Sequence, residues 1–263
     1  IIRSKGNTVL GSDDKSGAAA IVEAMRTLVE QKLPHPTVQG VFTVGEEIGR
    51  KGSAALELTV RSPGGHSSRP FGGTSLGRIS QAIARIVEHP FPVRLTPVMA
   101  GAFRAIAPYV TEEPLKTLVQ DVEQNADAIA RYCYETRALF PFVTTTIAPT
   151  VIRGSSAACN VMPQDMSAVV NFRIAEGETA EQVLSHVRQA VADESVELRF
   201  LQANDPSATA RSDGYGYARL VETMRRYFRD VMFLPSLTAG ATDAHCYEIV
   251  CDTCLRYSPF LAS

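Results

Sequence analysis

No apolar run in this 263-residue chain approaches the ~20 residues that a bilayer-spanning helix needs. No secretory leader pattern is visible either, and the opening Ile1-Ile2-Arg3 reads as the middle of a protein rather than a natural start. An excess of either charge is missing: 26 basic residues stand against 28 acidic ones, a formal net charge of −2. The basic footprint of a nucleic-acid partner is therefore not there, and neither nucleic acid nor membrane is expected as a partner. Cysteine is scarce. Five in a chain of this length do not make a disulfide scaffold, and the odd number fits a reducing compartment, so the expected location is cytoplasmic. Repeats and low-complexity tracts are absent. What remains is ordinary globular composition, 45% hydrophobic and 21% charged. The length suits roughly one to two domains of about 100–200 residues, enough to bury roughly 70–75% of the unfolded surface.

The order of elements suggests how those domains are arranged. Ala19, Ile21, Val22, Met25, Leu28 and Val29 recur at helical spacing, so Asp13-Asp14 precede a helix N-terminus, where the dipole favours negative charge. Val38–Val44 reads as a buried strand, with Glu46-Glu47 at its carboxyl end. Leu56–Val60 reads as a strand leading into Gly64-Gly65-His66-Ser67-Ser68, and 74–88 as a helix carrying Leu76, Ile79, Ile83 and Ile86. Pro90, Pro92 and Pro97 predict an irregular stretch, and 113–139 a long helix. Strands are expected at Phe142–Ile152, Asp165–Ile174 and Val196–Leu201. Thr179-Ala180-Glu181-Gln182 opens a helix to Val191 with a capping-box pattern. A helix near 214–229, a strand near 231–237 and a turn at Gly240-Ala241-Thr242-Asp243 follow. The expected class is α/β: a main sheet domain, residues 1–56 and 204–263, interrupted by a smaller α+β domain, residues 57–203.

Three groups of residues carry chemistry. Asp13/Asp14 and Glu46/Glu47 lie at element ends and can face one crevice; packed carboxylates repel unless protons or cations intervene, and hard oxygens with a histidine suit zinc, magnesium or manganese. The plainer reading is an acidic helix cap and an exposed turn. His66 sits in a glycine-rich loop, where backbone can approach another group closely; a polar turn histidine is the plain alternative. His245, Cys246, Cys251 and Cys254 offer four N/S donors for a structural zinc. They are crowded into ten positions, and buried small hydrophobes explain the cysteines more simply.

Taken together, Gly11-Ser12-Asp13-Asp14-Lys15-Ser16-Gly17, Val44-Gly45-Glu46-Glu47-Ile48-Gly49, Gly64-Gly65-His66-Ser67-Ser68, Asn160-Val161-Met162-Pro163 with Asn171-Phe172-Arg173, Ala241-Thr242-Asp243 and Arg256-Tyr257-Ser258-Pro259 follow one family order. In that order the chain resembles the dizinc aminoacylase/carboxypeptidase metallopeptidases, which include peptidase T, carboxypeptidase S, glutamate carboxypeptidase and succinyl-diaminopimelate desuccinylase. Residues 7–53 look closest to peptidase T-like members, and 57–260 to carboxypeptidase S-like N-acyl amino acid hydrolases. The resemblance implies a catalytic three-layer α/β domain interrupted by a smaller α+β lid or dimerisation domain, and a homodimer formed through the lid.

The resemblance also implies roles. Asp13 would bridge two divalent ions, Zn2+ foremost with Co2+ or Mn2+ as alternatives, and Glu47 would ligate one of them. Glu46 would be the general base. Paired metals lower the pKa of a water and polarise the scissile carbonyl, and a neighbouring carboxylate shuttles the proton to the leaving amine. His66 resembles the lid histidine that stabilises the oxyanion, often across a dimer. Asn160 and Arg173 resemble residues that bind the substrate carboxylate, with Gly240 and Thr242 lining the same pocket. The implied substrate is a small peptide or an N-acyl amino acid. Departures stand beside this. A His-x-Asp motif upstream of Asp13, an acidic ligand between Glu47 and the lid, and a histidine beyond Ser258-Pro259 are not found, and His35, His89 and His186 lie in no context that replaces them. A longer protein of which this chain holds only parts is one expectation; a non-catalytic relative that binds a small carboxylate ligand is the other.

Overall fold

A computed structural model describes residues 30–31, 51–154, 156, 158–206 and 214–227. Apart from 30–31, all of these fall within one compact unit, Glu47–Leu255. Its frame is an antiparallel sheet of four strands, β1 (Gly52–Arg61), β3 (Thr146–Arg153), β5 (Asp165–Ile174) and β6 (Val196–Asn204), in the order β3-β5-β1-β6. A separate two-stranded ribbon pairs β2 (Gly65–His66) with β4 (Val161–Met162).

The alternation in β1 explains why the sheet has two unlike faces. Ala54, Leu56, Leu58 and Val60 are buried, and the residues between them are only half-buried, the period of two that pleating imposes. The apolar face is covered by α1 (Ser75–Glu88) and by α5 (Ala180–Val191). Ile79 and Ile86 from α1, and Val183, Val187 and Val191 from α5, meet Leu56, Leu58, Val170, Phe172 and Ile174 in the main core. On the opposite face, Arg199 of β6 pairs with Glu57 of β1 at 2.6 Å directly across the strands. Thr179 caps α5 as its sequence predicts: its hydroxyl accepts from Gln182 N at 3.2 Å, while Gln182 Oε1 accepts from Thr179 N at 2.8 Å.

The segment between α1 and β3 differs from expectation. The predicted irregular stretch contains a helix, α2 (Pro97–Ile106), and the predicted long helix is broken into α3 (Leu115–Leu118) and α4 (Ala126–Glu135), with a 3-10 turn at Phe140–Phe142. Pro97 does not break the chain because it stands at the start of α2, where its missing N–H costs nothing, and Thr96 caps the helix by accepting from Met99 N. The break after α3 follows from local side-chain bonds that compete with the helix. Asp121 Oδ1 accepts from Gln124 N at 2.9 Å, and Asn125 Nδ2 donates to Leu118 O at 3.0 Å. Met99, Phe103, Val119, Val122, Ile129, Cys133 and Val143 form a second core within this insertion. The last helix among the described residues, α6, spans Tyr215–Tyr227, inside the expected 214–229. The expected helix at 18–30 (but for Glu30) and the strands at 38–44 and 231–237 lie outside the described residues.

Candidate active site

The ribbon β2/β4 is where two predicted site residues meet. After β1 the chain bends through Gly64 and Gly65, with φ of +67° and +121°, conformations that side chains rarely adopt. A Cβ on Gly64 would also stand 2.7 Å from Gln164 Cγ. The bend lays His66 opposite Val161, and Ser67 N donates to Asn160 O at 2.8 Å. Two serines clasp this loop pair. Ser62 N donates to Gln164 O at 2.7 Å and its hydroxyl to Pro163 O at 3.1 Å, while fully buried Ser75, the first residue of α1, donates its hydroxyl to the same Pro163 carbonyl at 2.7 Å.

In consequence His66 and Asn160, 94 positions apart in sequence, stand side by side with Nε2 3.4 Å from the Asn160 amide nitrogen. The other ring nitrogen, Nδ1, accepts from Ser68 N at 3.2 Å and lies 2.8 Å from Ser68 Oγ. All three side chains are exposed. The pair is thus fixed from behind and open in front, as groups that meet a ligand must be.

Arg173 lies elsewhere. It sits on β5 between Ser53 of β1 and Thr146 of β3, whereas the His66 loop leaves β1 at Arg61, opposite Asp165. From Ser53 to Arg61 the strand covers roughly 26 Å at about 3.3 Å per residue. Within one chain, Arg173 and the His66–Asn160 pair therefore occupy opposite ends of the sheet. Arg173 is exposed, but a buried polar cluster lies behind it. Lys51 Nζ donates to the carbonyls of Pro141 and, at 3.3 Å, Thr144. Thr145 Oγ1 accepts from Ala175 N at 2.7 Å and donates to Glu178, whose other oxygen pairs with Arg94 at 2.6 Å. Burial pushes the Lys51 ammonium down from its ordinary 10.5 to about 8; Glu178 opposes this and the Arg173 charge adds to it.

Asp13, Glu46, Glu47, Gly240 and Thr242 lie outside the described residues, as do His245, Cys246, Cys251 and Cys254. Among the described residues, no group of three or more His, Cys, Asp and Glu side chains is arranged to hold a metal ion. The described histidines other than His66 have bonds of their own. His186 stacks on Phe91 with ring centroids 4.1 Å apart and donates from Nε2 to His89 O, and His89 Nδ1 donates to Arg85 O.

Comparison with known proteins settles the family. The M20 model described as a peptidase dimerisation domain matches residues 48–199, more than half of the chain. The chain belongs to the M20 peptidases. A second model, the M42 glutamyl aminopeptidase, matches residues 5–62. The M20 chain is 28% identical over 269 residues to the N-fatty-acyl-amino acid synthase/hydrolase PM20D1 of Xenopus tropicalis, covering 95% of this chain and 52% of that protein. Over 50 residues it is 42% identical to peptidase T of Escherichia coli, covering 19% of this chain and 12% of that protein. Among solved structures, a tripeptidase from Staphylococcus aureus shares the fold with a TM-score of 0.55 at 17% identity, covering 94% of this chain and 62% of that one. The chain spans about half the length of the PM20D1 relative it matches. No helix among the described residues is long and apolar enough to cross a membrane.

Sequence reasoning singled out His66 and Asn160 as expected site residues but not the groups that hold them. Ser62 and Ser75 carry no signal of their own, because their role depends on a carbonyl about a hundred residues away. Lys51 was missed altogether, since nothing in the local pattern marks a lysine as buried.

Proposed function

We propose that this M20 family member is a metal-dependent hydrolase of the amide bond in a peptide or N-acyl amino acid that carries a free carboxylate. Residues 57–203 would be its lid and dimerisation domain, and residues 1–56 and 204–263 its catalytic domain. The observation that carries the reading is the juxtaposition of His66 and Asn160 at the β2/β4 ribbon, two exposed polar groups on loops that Ser62 and Ser75 tie to the Pro163 carbonyl. The synthase/hydrolase name of the PM20D1 relative and the peptidase description of the matching family support it.

Asp13 and Glu47 would hold two divalent ions, Zn2+ foremost with Co2+ or Mn2+ as alternatives, which when bound acidify water and polarise the scissile carbonyl. Glu46 would take a proton from the attacking water and deliver it to the leaving amine nitrogen. His66 would donate to the oxygen on which charge develops, and Arg173 would hold the substrate carboxylate through its two-pronged guanidinium, with Gly240 and Thr242 lining the pocket. The separation of Arg173 from His66 along the sheet favours a homodimer, in which the His66 end of one lid completes the site that Arg173 of the other copy serves. The proposed location is cytoplasmic.

The test is hydrolysis of a panel of dipeptides and N-acyl amino acids by the full-length protein with Zn2+, Co2+ or Mn2+ added. Turnover that falls by roughly 10²-fold or more in Glu46→Gln supports the reading. Metal-loaded protein that turns over no member of the panel overturns it, and carboxylate binding without turnover identifies the non-catalytic relative instead.

A further inference from the structure

A buried ammonium ordinarily stands against a carboxylate, because a lone charge taken out of water is costly. Lys51 does not. It is 9% exposed and immediately precedes β1, and it donates to two neutral groups, the carbonyls of Pro141 and, at 3.3 Å, Thr144. Two residues on, Ser53 pairs with Arg173 of β5. Lys51 and Arg173 are thus diagonal neighbours across the strand pair, a separation of roughly 7–8 Å that long side chains span. Among the described residues neither of them forms an ion pair. The surrounding charges leave the two cations in excess. Glu178 opposes Lys51, but it accepts from Arg94 at 2.6 Å on one oxygen and from Thr145 on the other. Glu176, in the same turn, pairs with neither cation, and its Oε2 is buried without a partner. On the β6 side Asn204 pairs with Ser53, and Asp205 is turned to α5, accepting from Ala180 N at 2.7 Å. Residues 141–145 bring no charge. Two cations with no anion between them repel, and a carboxylate arriving at Arg173 relieves both.

We propose that Lys51 is a positioning residue behind Arg173, a second and buried cation that never touches the ligand but whose charge helps to draw a free carboxylate onto the Arg173 guanidinium. The carboxylate role of Arg173 rests on the hydrolase reading above; the coupling of the two cations does not. Affinity then follows the Lys51 proton. Burial first of all holds this ammonium down at about 8, with Glu178 opposing and Arg173 adding to the fall. Below that pH Lys51 is charged and attracts the carboxylate. As pH rises through about 8 the proton leaves, the attraction is lost and KM for a carboxylate substrate rises. Reciprocally, a bound carboxylate keeps the proton on and moves the Lys51 midpoint up.

The experiment has two readouts on the full-length protein. The first follows the lysine ε-carbons by 13C NMR against pH, with and without N-acetylglycine as the carboxylate probe, and with Lys51→Arg used to assign Lys51. The Lys51 midpoint should move up when the probe is added. It should also move up in Arg173→Gln, which removes the like charge, and the probe should then shift it no further. A midpoint that the probe leaves unmoved, or moves equally in Arg173→Gln, overturns the proposal. The second readout is KM against pH for a carboxylate substrate that is turned over. Wild type should show a KM about threefold higher at pH 9.5 than at pH 7. Lys51→Arg carries a charge that does not titrate, so its KM should stay low and flat over that range while kcat remains within about twofold of wild type. Where Lys51→Arg does not fold, Lys51→Met should be flat at the higher KM and supplies the assignment. A rise that either variant keeps in full overturns the proposal. The NMR titration needs no turnover. A probe-dependent shift without hydrolysis thus counts against the proposed reaction, and hydrolysis without the shift against this inference alone.

Discussion

Lys51 shows how much one side chain can decide. Its charge is buried at the root of β1, held by two carbonyls of the insertion, and its pKa falls to about 8, mainly through burial. Because the folded pKa lies below the ordinary 10.5, the unfolded chain binds more protons between those two values. Stability attributable to this group therefore rises as pH climbs from about 8 to 10.5, and is lost again as pH falls through about 8. Denaturant titrations of wild type and Lys51→Met across that window should differ in slope, by a total on the order of 1–3 kcal/mol. Parallel curves would show that Lys51 keeps an ordinary pKa. Gly154 makes a second case at this scale. It has φ of +95°, and a Cβ there would stand 2.2 Å from Asp165 O, so Gly154→Ala should lower stability by more than about 1 kcal/mol in thermal or denaturant unfolding. Cys133 is buried and its thiol is pushed up to about 11 by burial, whereas Cys159 is exposed. Alkylation of native protein near pH 8, mapped by peptide mass, should modify Cys159 well before Cys133.

At the scale of the element, α5 has the clearest signature. The reciprocal bonds of Thr179 and Gln182 satisfy two N-terminal groups that the helix leaves without partners, and α5 then buries Val183, Val187 and Val191 against the sheet. Thr179→Ala should cost about 1 kcal/mol of stability, measured by denaturant unfolding. A loss near zero would mean that packing of the valine stripe alone holds the helix. The ribbon β2/β4 is the contrasting element. With two residues in each strand it is too short to be stable alone, and it persists because Ser62 and Ser75 tie Pro163 and Gln164 to the end of β1 and the start of α1.

For the whole molecule, the separation of Arg173 from His66 makes a prediction about two copies. If each site draws Arg173 from one copy and His66 from the other, His66→Ala and Arg173→Ala chains are each inactive alone. Mixed and allowed to exchange subunits, they should recover about a quarter of wild-type activity, because half of the random dimers are mixed and each of those holds one intact site. No recovery in verified mixed dimers would place both residues in the site of a single chain.

The division between pattern and fold is visible in particular residues. Asp165–Ile174 was legible to the residue, because a strand with one buried face must alternate. Thr179 was equally clear, because a cap is a bond between near neighbours. The M20 family was legible as well, because its motifs are runs of adjacent residues in a fixed order. The insertion was not: Val119, Val122, Ile129 and Cys133 keep a helical spacing, yet Asp121 and Asn125 bond to the backbone between them and stop the helix. Nor could local pattern show that the loop at Gly64-Gly65 lies against residues 160–164, that Lys51 is enclosed by carbonyls about ninety positions away, or that Arg173 and His66 sit at opposite ends of one sheet. Composition, caps, strand alternation and family motifs depend on neighbours along the chain. The partner of each polar group, and hence where His66 and Asn160 stand, depends on which distant backbone the folded sheet brings alongside.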